Sequence, residues 1–260
     1  MSTHFLWNNH LTAEQTRLSA DNVDTNFPLE NLKRLSTTAE TRSIESESSL
    51  SIMVDFKIPK TVDAIAVVGN NINRELKISN MTVSGGDTAF TDAQQSTTLE
   101  LDFTEGMGVK ILNNPLSFRF WTIEVSIDSG TAQLSNIFLG ESFAAPTEMR
   151  SPSYGWRALE TDRSTIQRGF YAQPFVEKLN NEREFSMGIG LLKNEIFENF
   201  RKMVDHLGKT RPLFFVADYT GVIINDPLRF ACYGLIRQSP ALVNRFFATY
   251  DSRLEIREVI

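Results

Sequence analysis

Cysteine is almost missing: Cys232 stands alone among 260 residues, which excludes a disulfide framework and a cysteine-based zinc cluster. Histidine is nearly as scarce. His4 and His10 fall in a polar N-terminal stretch and His206 near the end of a helical pattern. There is no HExxH and no second histidine at metal-ligating spacing. No run of 18 apolar residues occurs, so no segment reads as a membrane-spanning helix. The opening MSTHFLWNNH lacks the basic-then-apolar order of a signal peptide, and with one cysteine it predicts folding in a reducing compartment. Basic runs are also missing, which argues against nucleic-acid binding through many phosphate contacts.

The motifs of common catalytic sites are lacking as well. There is no GxSxG elbow, no Walker A loop and no GxGxxG. Gly106-Met107-Gly108 and Gly188-Ile189-Gly190 are isolated pairs that open no helix, and they read as turn or bulge glycines. Cys232 lies in an apolar β run with Phe230 and Gly234 and reads as a buried small residue, with no partner histidine to activate it. Asp102 and Glu105, and Asp218 and Asp226, flank turns. They read as turn-capping residues, with Ca²⁺ binding as the alternative, but their order matches no EF-hand loop. No cofactor and no metal is expected, and no catalytic residue is assigned.

What is present is apolar, aromatic and unevenly charged. Hydrophobic residues make up 41% of the chain, with 19 Phe, enough for a sizeable core without staples. The formal charge is −6. Residues 1–150 carry a net −8 and residues 151–260 a net +2, with 11 of the 15 basic side chains in that second part being Arg. Arginine forms partly desolvated, bidentate pairs and is enriched at interfaces, although solvated strand faces carry it too.

The hydrophobic period is mostly two. Leu50, Ile52, Val54 and Phe56 alternate with Ser51, Met53, Asp55 and Lys57, a strand ending at Pro59. Val62 to Val68 is nearly all apolar and predicts a central strand covered on both faces. Further strands are expected over 76–83, 98–103, 118–127 and 132–139, closed by Gly-, Asn- and Asp-rich turns. After residue 155 a hairpin pattern leads into one clear helix. Following Asn194, Ile196, Phe197, Phe200, Met203, Val204 and Leu207 share one face, and Gly208 stands where a helix stops. Strands over 213–217, 228–236 and 244–260 complete the chain.

The organisation expected from these patterns is mainly β. Residues 1–48 form an extended N-terminal arm and 49–145 an antiparallel β-sandwich of jelly-roll type. Residues 146–155, with Pro146 and Pro152, form a linker, and 156–260 an antiparallel α+β domain with one main helix. Two groups of residues stand out as candidates. Tyr154, Trp156, Phe170 and Tyr171, interleaved with Arg157, Arg163 and Arg168, have the composition of an interface core, or of a linker packed on its own domain. Asn70, Asn71, Asn73 and Asp87 lie in turn-rich segments after the second and third predicted strands.

Certain runs add a resemblance. Leu50-Ser51-Ile52-Met53-Val54-Asp55-Phe56, Val62 to Asn71, Phe118 to Val125 and Ile137-Phe138-Leu139-Gly140-Glu141 resemble the discoidin-like, galactose-binding type of β-sandwich over about 95 residues. Followed by this C-terminal half, and with Asn8, Asn31-Leu32-Lys33-Arg34, Phe215 to Asp218 and Tyr233-Gly234-Leu235, the arrangement resembles tail or baseplate structural proteins of tailed bacteriophages. The resemblance implies a non-enzymatic virion component, a distal-tail or tail-hub adaptor assembled in the host cytoplasm. It would form a homo-oligomeric ring and contact other virion proteins, with no nucleic acid or membrane as partner. The alternative it implies is a carbohydrate-binding module, or a receptor-binding accessory, that holds a glycan in loops at one end of the sandwich, with Asn70, Asn71, Asn73 and Asp87 as candidates. Fold-level likeness alone does not choose between them.

Overall fold

The computed structural model describes residues 3–34, 36–45, 47–69, 78–87, 97–104, 106–145, 156–162, 164–168, 174–177, 182–217, 219, 230–246 and 249–259. Its first strands are β1 (His4–Asn9), β2 (Arg17–Asp21) and β3 (Thr41–Arg42), with short 3₁₀ turns at His10–Thr12 and Leu29–Lys33. Two long strands follow, β4 (Ser49–Val68) and, after β5 (Ile78–Gly86), β6 (Thr97–Glu100) and β7 (Asp102–Thr104), β8 (Met107–Ile127). Then come β9 (Gln133–Leu134), β10 (Asn136–Ala144), β11 (Trp156–Thr161), β12 (Thr165–Arg168), β13 (Pro174–Glu177) and β14 (Glu182–Lys193). The helix α1 (Asn194–Leu207) precedes β15 (Leu213–Val216), β16 (Ala231–Ile236), β17 (Leu242–Phe246) and β18 (Thr249–Glu258). The fold is mainly β and antiparallel, as the alternation predicts.

The alternation in β4 buries Leu50, Ile52, Val54 and Phe56. Pro59 does not end the strand. Instead β4 bends, with Lys57 in the left-handed region (φ 68) and a register shift against β8 between Asp55 and Lys60. A proline is tolerated there because the ladder is already broken. Asp55 clamps the bend. Its carboxylate accepts hydrogen bonds from Arg119 Nε (2.9 Å) and Nη2 (3.1 Å), from the Lys57 backbone N–H (2.7 Å) and from Lys57 Nζ (2.7 Å). The Arg119 bonds foremost, with those of Lys57, hold this carboxyl well below the usual carboxylate range. Both halves of β4 line one core together with the second half of β8. Leu50, Ile52, Val62, Val67, Trp121, Ile123, Ile137 and Leu139 meet there.

The strand order is β11-β14-β18-β16-β15-β1-β10-β4-β8-β5-β6. One sheet thus runs from the sandwich into the C-terminal lobe, and β1 joins them. Its partners are β10 on one side (Phe5 opposite Phe143) and β15 on the other (Phe5 opposite Phe215). The expected arm over 1–48 is therefore corrected. Its start is a central strand, with Phe5 and Leu6 fully buried, and Leu11, Leu29 and Leu32 enter the sandwich core. The physical reason is that Phe5-Leu6 has apolar side chains for both faces, as a central strand needs. The expected linker over 146–155 lies outside the described residues.

The helix forms where its apolar face predicts. Phe197, Phe200, Met203 and Leu207 pack with Phe5, Phe143, Phe185, Phe215 and Cys232 in a second core. Burying such side chains contributes ~2 kcal/mol each, before entropy is counted. Gly208 (φ 54) stops the helix, its N–H donating to the Val204 carbonyl at 2.9 Å. On the opposite face of the shared sheet, Leu6, Phe138, Phe214 and Tyr233 form a third apolar row.

Gly140 carries the junction. β1 bulges between Leu6 and Asn8, just before Asn9 pairs with Gly140, and a Cβ at Gly140 would lie 1.8 Å from the Asn8 carbonyl oxygen. Backbone cannot yield as a side-chain tip can. Gly140→Ala is expected to cost ~3 kcal/mol or more, at the upper end for overpacking. Urea unfolding followed by circular dichroism checks this, and an unchanged midpoint would show that β1 can move aside.

Candidate functional site

The shared sheet ends where β1 leaves it and β15 begins, and an open cleft of about 840 Å³ lies there. Trp7, Asn8, Asn9 and His10 from the end of β1 line one side. Lys60 and Thr61 of β4 with Glu141 of β10 line the sandwich side. His206 at the end of α1 with Arg211 before β15 lines the other lobe. A hollow of about 450 Å³ adjoins it, lined by Trp7, Asp63, Glu141, Asn199 and Lys202. Trp7 and Glu141 border both spaces.

Local chemistry holds this end of β1. The Asn9 side chain accepts from the backbone N–H groups of Leu11 (3.1 Å) and Leu139 (3.2 Å), and its amide donates to the Ile137 carbonyl at 2.8 Å. Asn9 thus caps the 3₁₀ turn and locks β1 to β10. His10 Nε2 lies 2.9 Å from the Thr61 carbonyl oxygen, which only accepts, so this nitrogen carries the proton. The same atom is 3.9 Å from Glu141 Oε1. His206 packs edge-on against Trp7, ring centroids 5.2 Å apart, and Arg211 Nη1 lies 3.1 Å from His206 Nε2.

Burial sets the protonation of the cleft. It lowers the pKa of His10 and of His206, and Arg211 beside His206 lowers the latter further. Both imidazoles are therefore neutral near pH 7 and serve as hydrogen-bonding groups. Asp63, at the back of the hollow, accepts from the Ser142 N–H at 2.6 Å, and burial raises its pKa. Cys232 is fully buried, and burial pushes its thiol up, away from any thiolate role. No group of three metal-ligating side chains occurs among the described residues.

Arg157 and Asp87, two of the residues singled out from sequence, do not line the cleft. Of the interface group, Arg157 is exposed on β11, and Trp156 and Arg168 lie in β11 and β12. Tyr154, Arg163, Phe170 and Tyr171 lie outside the described residues. Of the loop group, Asp87 is exposed just past β5, while Asn70, Asn71 and Asn73 lie outside them. The cleft residues were missed because they are distant in the chain. The available signal was Trp7 and His10 together in a short polar stretch, since a tryptophan there needs a reason.

No protein-family model matches the chain, and no curated protein matches it. Solved structures do. CpGH89CBM32-6 from Clostridium perfringens shares 15% identity over 52% of this chain and 99% of that one, with a TM-score of 0.41. The family 32 CBM from C. perfringens NanJ, in complex with galactose, shares 11% over 52% of this chain and 98% of that one, TM-score 0.41. A Ruminococcus gnavus GH29 fucosidase in complex with fucose shares 16% over 52% of this chain but only 27% of that one, TM-score 0.45.

The buried histidines predict a pH dependence of stability. His4, on β1, is 9% exposed, and burial lowers its pKa to about 4. The unfolded chain takes up protons first as pH falls through ~6.5, so stability is complete above that value and declines as pH approaches 4. His4 alone accounts for up to ~3 kcal/mol of this loss. The urea midpoint is expected to be lower at pH 5 than at pH 7.5, and His4→Gln to flatten the difference. Equal slopes in the two proteins would refute the assignment.

Proposed function

We propose that this chain is a non-catalytic recognition protein that holds a carbohydrate in the cleft at the lobe junction. The observation that carries the reading is the cleft's lining. An indole, Trp7, borders it beside an acceptor, Glu141, and the side-chain amide of Asn8. A saccharide presents an apolar C–H face and a ring of hydroxyls, each both donor and acceptor. An amphipathic aromatic with mixed polar neighbours matches both. The volume suits a ligand of a few sugar rings.

A second reading is a structural component of a phage tail or baseplate, located in the virion and assembled as a ring with other virion proteins. One observation favours it. Leu242 and Val243, neighbours on β17, are 42% and 53% exposed, and Leu159 on β11 is 44% exposed. Successive strand residues point to opposite faces, so β17 leaves both open, and open edge strands are templates for pairing. Head-to-tail pairing of different edges closes into rings when the rotation permits.

Two measurements separate these readings. Titration with neutral and acidic oligosaccharides is expected to show binding that weakens about tenfold or more in Trp7→Ala, with the unfolding midpoint confirming an intact fold. Absence of sugar binding would end the first reading. Light scattering across concentration tests the second. A ring that falls to monomers on Val243→Lys supports assembly, and a monomer at all concentrations removes it.

A further inference from the structure

We infer that the cleft's ligand is an acidic saccharide, whose carboxylate is held between Lys60 and Arg211. The inference rests on the carbohydrate reading above and narrows it to one chemical class. Three cationic side chains, Lys33, Lys60 and Arg211, line the cleft against two anionic ones, Glu14 and Glu141. That surplus stands in a chain whose formal charge is −6, so the cleft is a cationic spot on an acidic molecule.

The three cations are not equivalent. Lys33 Nζ is committed to the Thr16 carbonyl. Among the described residues, neither Lys60 nor Arg211 is ion-paired, although most other arginines with described side chains hold a carboxylate: Arg42, Arg119, Arg183, Arg201, Arg237, Arg253 and Arg257 do. Arg211 is oriented instead by a neutral partner. Its Nη1 lies 3.1 Å and 3.3 Å from the two His206 ring nitrogens, and His206 is fixed in turn against Trp7. A neutral imidazole positions the guanidinium without cancelling its charge. The planar fork then remains available for bidentate contact with a carboxylate, while Lys60, from the other lobe, supplies a point charge. Trp7 stands beside them for the sugar ring.

The test compares one skeleton with and without its acid groups: trigalacturonate against galactotriose, by calorimetric titration of the full chain. Trigalacturonate is expected to bind at least tenfold tighter, with affinity falling as salt rises. Arg211→Gln and Lys60→Gln should each reduce that preference several-fold. Equal affinity for the two sugars, unmoved by these substitutions, would overturn the acidic class and leave the carbohydrate reading standing. Binding of neither sugar would end both. If acetate or inorganic phosphate displaced trigalacturonate at equal concentration, the cleft would be a simple anion site, and the inference would fail.

Discussion

Six residues at the start of the chain tie the molecule together. β1 is hydrogen-bonded to β10 on one side and to β15 on the other, so neither lobe's sheet is complete without it. Its side chains serve two cores at once. Phe5 packs among the helix-covered aromatics, and Leu6 packs in the row on the opposite face. A strand so placed satisfies its own backbone groups and those of both neighbours, which would otherwise be two exposed sheet edges.

The cleft is a consequence of that strand. β1 must leave the sheet somewhere, and it does so at Asn9, whose side chain replaces the ladder with three hydrogen bonds of its own. The departing chain carries Trp7, Asn8 and His10 to the boundary between lobes. There Glu141 arrives from β10 and Arg211 from the turn after α1. Close approach of β1 to β10 is possible only because Gly140 has no side chain. The cleft's lining and the joining of the lobes therefore share the same backbone.

Much of the fold was legible in the chain. The alternation from Leu50 to Phe56 and the helical face from Ile196 to Leu207 appear as expected, because each buries one stripe and that stripe has a fixed period. The errors are local. Pro59 looks like a strand end, yet it sits within a bend that Asp55 and Arg119 clamp across 64 positions of sequence. Phe5-Leu6-Trp7 is too short a run to show periodicity, so a central strand passed for part of an arm. The cleft was not legible, since His10, Lys60, Glu141 and Arg211 have no common spacing.

The sequence by itself determined many of the strands, such as the one through Leu50–Phe56, and the segment from Asn194 to Leu207 that forms a strong helix. Those features follow from side-chain period and residue type, which are local. Only the tertiary structure decided that the two lobes share one sheet, that His206 and Arg211 meet Trp7, and that two cations are left without carboxylate partners among the described residues. Such facts depend on contacts between distant positions, and pairing across a sheet leaves no periodic trace in the chain.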